Sequence, residues 1–254
     1  MYCLLLEIFC TITVGCSSGI GKSTALEFSN NKNYKVWATM RSTSKWIEPV
    51  RENLKLLQLD VTSASSISEV VAHIIKEDGK IDIIVNNAGY GIAGSLEQVT
   101  IDDAKQLFDV NVWGPVRLLQ AALPYMRKMR TGHIINISST SGIRGIPCFE
   151  FYTGSKFALE GIMDSMRYSL AAFNISVTNI NAGPVRTSFT DRFGNSDLGG
   201  KGTVVVDDPT GYLNLLTNRM ILGLNKRMES PEAQTSEHVA RLIVNVAIIR
   251  YLMQ

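Results

Sequence analysis

IFCTITVGCSSGIGKSTALEFS, residues Ile8 to Ser29, decides the fold. It reads as an apolar strand (Ile8–Val14), a glycine-rich turn (Gly15–Gly21) and a helix opening at the turn's end (Ile20–Ser29). The glycines permit a tight turn and close backbone approach. The helix N-terminus offers free N–H groups and the positive end of its dipole to a phosphate. Gly21-Lys22-Ser23 imitates the end of a triphosphate-binding loop, and the apolar run ending in Asp60 imitates its acidic partner strand. That loop needs four residues between its glycines, and counting back from Gly21 reaches Cys16, with Gly15 one position too far.

Outward from this stretch the same alternation continues. Strand-like runs at Lys35–Thr39, Leu54–Leu59, Ile81–Val85, His133–Ile137 and Ile175–Ile180 are separated by helical patterns at Ser65–Glu77, Asp102–Met129 and Phe151–Phe173. Strands that are apolar almost throughout and alternate with helices imply βαβ units. The expected fold is a Rossmann-type α/β domain, a doubly wound parallel sheet with helices on both faces. The 254 residues, 45% of them hydrophobic, suit one such domain over 1–254. Ser188–Asp208 breaks the rhythm with Gly194, Gly199, Gly200 and Gly202, and a substrate lid is expected over 188–228.

A net charge of +2 without a long charge run argues against a nucleic-acid surface. The four cysteines, Cys3, Cys10, Cys16 and Cys148, have neither pairing nor metal spacing, and there are only three histidines. Reduced, buried thiols in a cytoplasmic protein and no metal site are the expectation. The apolar N-terminus lacks a basic leader, carries Glu7, is too short to span a bilayer and runs straight into the glycine turn. Ile8–Val14 reads as a core strand and Met1–Glu7 is left unassigned; no transmembrane segment is expected, and peripheral membrane contact is left open.

Gly132–Gly161 holds the candidate chemistry. A buried strand ends in a serine cluster, and after a loop a helix opens at or near Tyr152. Tyr152 and Lys156 then project from one helical face, and a phenol beside an ammonium is a usable acid/base. Ser139 sits at the strand's C-terminal end, where open α/β sheets place ligands. Each piece also has a plain reading: Tyr-x-x-x-Lys occurs by chance on helices, and Ser-Ser-Thr-Ser is a common polar loop. Arg41 ends the second strand where an acidic residue would bind a ribose 2′-hydroxyl. With no acid there, the arginine is either a solvated surface residue or the partner of a 2′-phosphate, which favours NADP(H) over NAD(H). Asn86-Asn87-Ala88-Gly89 is either a turn or a close approach to a ribose. Asn111, followed by Gly114 and Pro115 inside a helical pattern, marks a kink whose freed carbonyl could hold a water.

Together these residues resemble the short-chain dehydrogenase/reductase family. The resemblance rests on Gly15-x3-Gly19-Ile20-Gly21, Asn86-Asn87-Ala88-Gly89, Asn111, Ser139, Tyr152-x3-Lys156 and Gly183-Pro-Val-Arg-Thr187, in the family's order and spacing. Ala38–Arg41, Ser155–Gly161 and Ser230–His238 are similar to the branch of 17β-hydroxysteroid dehydrogenase type 1 and photoreceptor-type retinol dehydrogenases. The resemblance implies a ketone/alcohol oxidoreductase with an apolar steroid or retinoid substrate. By the same carry-over, Tyr152 is the proton donor, Lys156 lowers its pKa and binds the nicotinamide ribose, Ser139 holds the substrate oxygen, and the Asn111 carbonyl holds a relay water. Gly15, Ser17, Ser18, Gly19, Ile20, Gly21 and Arg41 would meet phosphates and ribose. Asp60 and Val61 would hold adenine; Asn87, Ala88 and Gly89 the ribose; Gly183, Val185 and Thr187 the carboxamide. Ile146, Phe149, Pro184 and the apolar helix Tyr212–Leu224 are substrate-wall candidates. The resemblance also implies a homodimer through the long helices.

Val14, Gly154 and Ala182 depart from the family's usual threonine, alanine and proline. The chain stops at Gln254, before the seventh strand of its relatives, with Val246–Met253 as a substitute strand or a frayed helix end. Two other readings stay open: reduction of a fatty-acyl or xenobiotic carbonyl, and a cofactor-binding protein with little turnover.

Overall fold

The computed structural model describes residues 8–189 and 208–252. Six strands form one parallel sheet: β1 (Phe9–Val14), β2 (Tyr34–Met40), β3 (Leu54–Gln58), β4 (Ile83–Asn86), β5 (Gly132–Ile137) and β6 (Ile175–Ile180), in the order β3-β2-β1-β4-β5-β6. The chain therefore winds outward from β1 to β3, then returns beside β1 with β4 and winds the other way. The C-terminal ends of β1 and β4 form the switch point where such sheets open a crevice.

Period-two alternation supplies both layers of core. Ile84 and Ile134 face α2 (Ala64–Asp78), α4 (Gly114–Met129) and α5 (Glu150–Ala171), meeting Ile67, Val71, Leu118, Leu119, Leu159 and Met163. Their neighbours Ile83, Val85, Ile135 and Ile137 face the opposite side. There α1 (Gly19–Ser29) and α7 (Ser236–Leu252) bring Ala25, Phe28, Val239, Ile243 and Ala247. Helix starts are set locally. Ser63 caps α2 by accepting from Ser66 N (3.2 Å), and Thr100 caps α3 (Ile101–Phe108) by accepting from Asp103 N (3.0 Å).

The structure makes three expectations more specific. The single helix over Asp102–Met129 is divided into α3, one π turn at Asp109–Trp113, and α4. Pro115 has no N–H to give the Asn111 carbonyl four residues back, so the α-helical ladder cannot continue there. Of the two readings of Val246–Met253, the described part follows the helical one: residues to Leu252 belong to α7. Its buried Val239, Ala240, Ile243, Val244 and Ala247 make a helical stripe that the sequence reading passed over. The apolar helix Tyr212–Leu224 continues further, as α6 (Tyr212–Glu229). The glycines of the expected lid, Gly194 to Gly202, lie outside the described residues. A short parallel pair, β7 (Val185–Arg186) with β8 (Gln234–Thr235), ties the segment after β6 to the start of α7. Arg186 also reaches the end of α6, donating to the carbonyls of Met228 (3.3 Å) and Ser230 (3.1 Å).

Cys10, Cys16 and Cys148 are free and buried, while Cys3 lies outside the described residues. No helix among the described residues is long and apolar enough to cross a membrane.

His133 of β5 is buried, with Nε2 2.9 Å from Thr178 Oγ1, and burial pulls its pKa down to about 4. The unfolded chain takes up a proton near pH 6.5, where the folded chain resists it. Stability from this group is therefore complete above pH 6.5 and lost as pH falls toward 4. His133→Gln should flatten that part of the stability–pH curve in urea titrations relative to wild type.

Candidate active site

At the switch point the glycine turn packs against the loop after β4. Gly15 and Gly19 have φ of 79° and 56°, in the left-handed region that glycine tolerates. A Cβ on Gly15 would stand 2.8 Å from Ala88 Cα, and one on Gly21 would strike Asn87 Nδ2 and stand 2.5 Å from the Gly15 carbonyl. Asn87 holds this approach by donating to the carbonyls of Val14 (3.0 Å) and Gly15 (3.1 Å). Ser18 begins α1 without capping its N–H groups through the side chain.

A cleft of about 1050 Å³ runs from this turn across the ends of the strands to α6. Gly15, Ser17, Ser18, Gly19, Ile20, Arg41, Asp60, Val61, Asn87, Ala88, Gly89, Gly183, Val185 and Thr187 line it at one end. Ser139, Tyr152 and Lys156 lie at its floor, with Ile146, Phe149 and Pro184 on its wall. Two of the site residues expected from sequence do not line it. Gly21 lies behind the turn, where its lack of a side chain lets Asn87 and Gly15 meet. Asn111 is buried and works through its amide: it accepts from Tyr90 N (3.0 Å) and donates to Tyr90 O (2.9 Å) and Ser155 Oγ (3.1 Å). Ser155 Oγ in turn donates to the Tyr152 carbonyl (2.7 Å), so the chain of bonds joins the loop after β4 to the helix carrying Tyr152.

Tyr152 and Lys156 stand one turn apart on α5, both buried. The Tyr152 ring packs between Phe149 (centroids 6.4 Å apart) and Phe189 (5.7 Å). Burial pushes the phenol up to about 12, and a hydrogen bond with Ser139 draws it back part of the way. The net shift is upward, not the lowering that the sequence reading expected from Lys156. Lys156 Nζ donates to the Ile137 carbonyl (2.9 Å) and lies 5.8 Å from the centre of the Tyr152 ring. Burial pulls its own pKa down to about 8, against the field of Glu160. Gly154, between the pair, is no close-packing requirement, since a Cβ there would meet only Phe108 Cζ at 3.6 Å.

Lys22 and Ser23, the decoy after the glycines, point elsewhere. Lys22 pairs with Glu48 (2.6 Å), and Ser23 bonds Ser236 Oγ of α7 (2.9 Å). Residues that the sequence reading missed are Tyr90 and Phe189 in the apolar cluster around Tyr152, and Arg144, Arg219 and Arg227 on the cleft wall. Arg219, Met220, Gly223, Leu224, Arg227 and Met228 recur at helical spacing, so the face was readable. Which side of α6 meets the cleft was not.

The three turn glycines, the uncapped start of α1 and Arg41 beyond β2 fit a dinucleotide with a phosphate at the helix end. A buried phenol and the half-buried Ser139 hydroxyl beside that cradle define a dinucleotide-dependent oxidoreductase. Residues 10–197 match the family model for short chain dehydrogenases, and the chain belongs to the short-chain dehydrogenase/reductase family.

It is 40% identical to 3-ketodihydrosphingosine reductase of Bacteroides thetaiotaomicron, over 85% of this chain and 78% of that protein. It is also 40% identical to human retinol dehydrogenase 8, over 69% of this chain and 58% of that one. With human 17-beta-hydroxysteroid dehydrogenase type 1 it shares 33% identity over 92% and 72%. Among solved structures it superposes on a short-chain dehydrogenase from Streptomyces avermitilis with TM-score 0.76 and 28% identity, over 96% and 84% of the two chains. NADP-bound ElxO gives 0.74 and 26%, over 95% and 91%.

Gly21→Ala should weaken NADPH binding by roughly tenfold or more, about 1.4 kcal/mol, with the fold intact. Titration of NADPH fluorescence against circular dichroism of the same variant measures both.

Proposed function

We propose that this chain interconverts a ketone or aldehyde and the corresponding alcohol on an apolar substrate of the steroid or retinoid class, with NADP(H) favoured over NAD(H). The observation that carries this reading is the Tyr152 phenol. It is buried against Ser139 at the floor of a cleft with a glycine cradle at one end and the apolar cluster of Phe149, Phe189, Ile221 and Leu224 at the other. Similarity to the retinol and hydroxysteroid dehydrogenases supports the substrate class.

The substrate oxygen lies between the hydroxyls of Ser139 and Tyr152. At neutral pH the phenol keeps its proton, the form that carbonyl reduction uses, and Tyr152 Oη gives that proton to the carbonyl oxygen. In alcohol oxidation the same oxygen takes the proton back. A nicotinamide held with its dinucleotide in the glycine cradle would supply or accept the hydride. Lys156 holds its ammonium near the ring and offsets the charge of the phenolate that forms. The aromatic walls on Tyr152 exclude water from the proton's path. Asp60 is held ionised by hydrogen bonds from Thr62 N (2.9 Å) and Oγ1 (2.7 Å) and has Arg41 close enough for its charge to act on the carboxylate. Arg41 is exposed at the exit of β2, free to meet a 2′-phosphate.

A second reading is favoured by the similarity to 3-ketodihydrosphingosine reductase, which covers more of both chains than the match to retinol dehydrogenase 8. There the substrate is a long-chain keto lipid and the proton chemistry is unchanged.

NADPH with a steroid ketone, retinaldehyde, a long-chain 3-keto lipid and a small xenobiotic ketone separates these readings through loss of the reduced-nicotinamide absorbance. Turnover is expected with an apolar carbonyl, and Tyr152→Phe should lower it roughly 100-fold or more without loss of NADPH binding. Binding of NADPH with turnover of no carbonyl leaves a dinucleotide-binding protein and overturns the enzyme. Arg41→Asp should move the NADPH/NADH preference toward NADH by roughly tenfold or more, and equal preference before and after removes its assigned role.

A further inference from the structure

A line of amides crosses the sheet beneath the cleft and ends on one carboxylate. Asn86 Nδ2 of β4 donates to Asn136 Oδ1 of β5 (2.8 Å), and Asn136 Nδ2 donates to Asn179 Oδ1 of β6 (3.0 Å). Asn179 Nδ2 then donates to Glu160 Oε2 of α5 (2.5 Å). The other carboxylate oxygen, Oε1, accepts from Asn181 Nδ2 (2.5 Å), and that same nitrogen reaches the Ser139 carbonyl (3.3 Å). The turn after Ser139 closes on Glu160 as well: a Cβ on Gly142 would stand 3.0 Å from Glu160 Cγ and 3.2 Å from Oε1. Glu160 is one turn beyond Lys156, as Lys156 is one turn beyond Tyr152.

We propose that Glu160 is a positioning residue, fastening the strand end that carries Ser139 to the helix that carries Tyr152 and Lys156 and setting a carboxylate charge one helical turn beyond Lys156. Two amides fix the carboxylate from the sheet side, so its charge stands at a set place relative to Lys156. The lysine is buried, and burial alone favours its neutral form. The elements packed around Lys156 otherwise bring few charges. The exit of β5 offers the Ile137 carbonyl, Ser138 and Ser139, and β6 offers Asn179 and Asn181, all uncharged. The π turn carries Asp109, which is held by Arg117 at 2.5 Å. Among the described residues, Glu160 is the charged group whose field raises the pKa of Lys156. The inference rests on the proposed function only in giving Ser139 and Lys156 catalytic work.

Its test needs neither cofactor nor turnover. The chain is labelled with 13C at lysine Cε, the Lys156 signal is identified by its loss in Lys156→Arg, and its titration is followed by NMR without nucleotide. Glu160→Gln should move the Lys156 midpoint down by roughly half a unit or more. Glu160→Asp, which keeps the charge but withdraws it by one methylene, should move it less in the same direction. An unchanged midpoint in folded Glu160→Gln overturns the proposal; if that variant does not fold, an unchanged midpoint in Glu160→Asp does so. A shifted midpoint in a chain that reduces no carbonyl upholds the electrostatic role while the enzyme reading fails.

Discussion

The bond from Lys156 Nζ to the Ile137 carbonyl joins the exit of β5 to α5, and the cleft floor depends on it. Taking an ammonium out of water costs several kcal/mol unless hydrogen bonds and nearby charge offset it. The offset is built from backbone at the end of the sheet and from Glu160 on the same helix. Once Lys156 is held there, helical geometry leaves Tyr152 little freedom: one turn back, its ring is enclosed by Phe149 and Phe189 and its hydroxyl meets Ser139. The phenol is consequently a weaker acid than a free tyrosine. Burial that orients it also opposes its ionisation.

Much of the machinery lies one layer behind the surface a ligand would touch. Gly21 allows Asn87 to reach the carbonyls of the glycine turn, and Asn111 ties the loop after β4 to α5 through Tyr90 and Ser155. Gly114 does similar work between layers, since a Cβ there would come within 2.9 Å of the Val61 side chain. Asn86, Asn136 and Asn179 carry a polar line across three neighbouring strands of the sheet. Buried amides of this kind are tolerated only when they are paired, and each of these donates to the next acceptor along the line.

The substrate end is composed differently. Phe149, Tyr152 and Ile221 form a small apolar cluster with Tyr90, Phe189, Met220 and Leu224 around it, separate from the two large cores. α6 places arginines and apolar residues alternately along the cleft, so this wall is amphipathic rather than simply greasy. The chain spans 58% of the length of retinol dehydrogenase 8 and 78% of that of 3-ketodihydrosphingosine reductase.

The fold was largely legible in the sequence because parallel strands covered on both faces are largely apolar, and six such runs alternate with helical patterns. Even the break near Asn111 could be read, since proline lacks the N–H an α-helix requires. Helix α7 was equally visible as a stripe of Val239, Ile243 and Ala247, although only its end, from Val246, was read, as a substitute strand or a helix end. The residue types of the proposed catalytic group, Ser139, Tyr152 and Lys156, were fixed by local order and spacing. What the spacing could not contain was direction: Lys156 turns to the Ile137 carbonyl, Asn111 commits its amide to Tyr90 and Ser155, and α6 presents its arginines inward. Such choices depend on which groups from distant segments supply hydrogen bonds and exclude water. A one-dimensional pattern records a residue's chemistry, and only the packed chain decides what that chemistry meets.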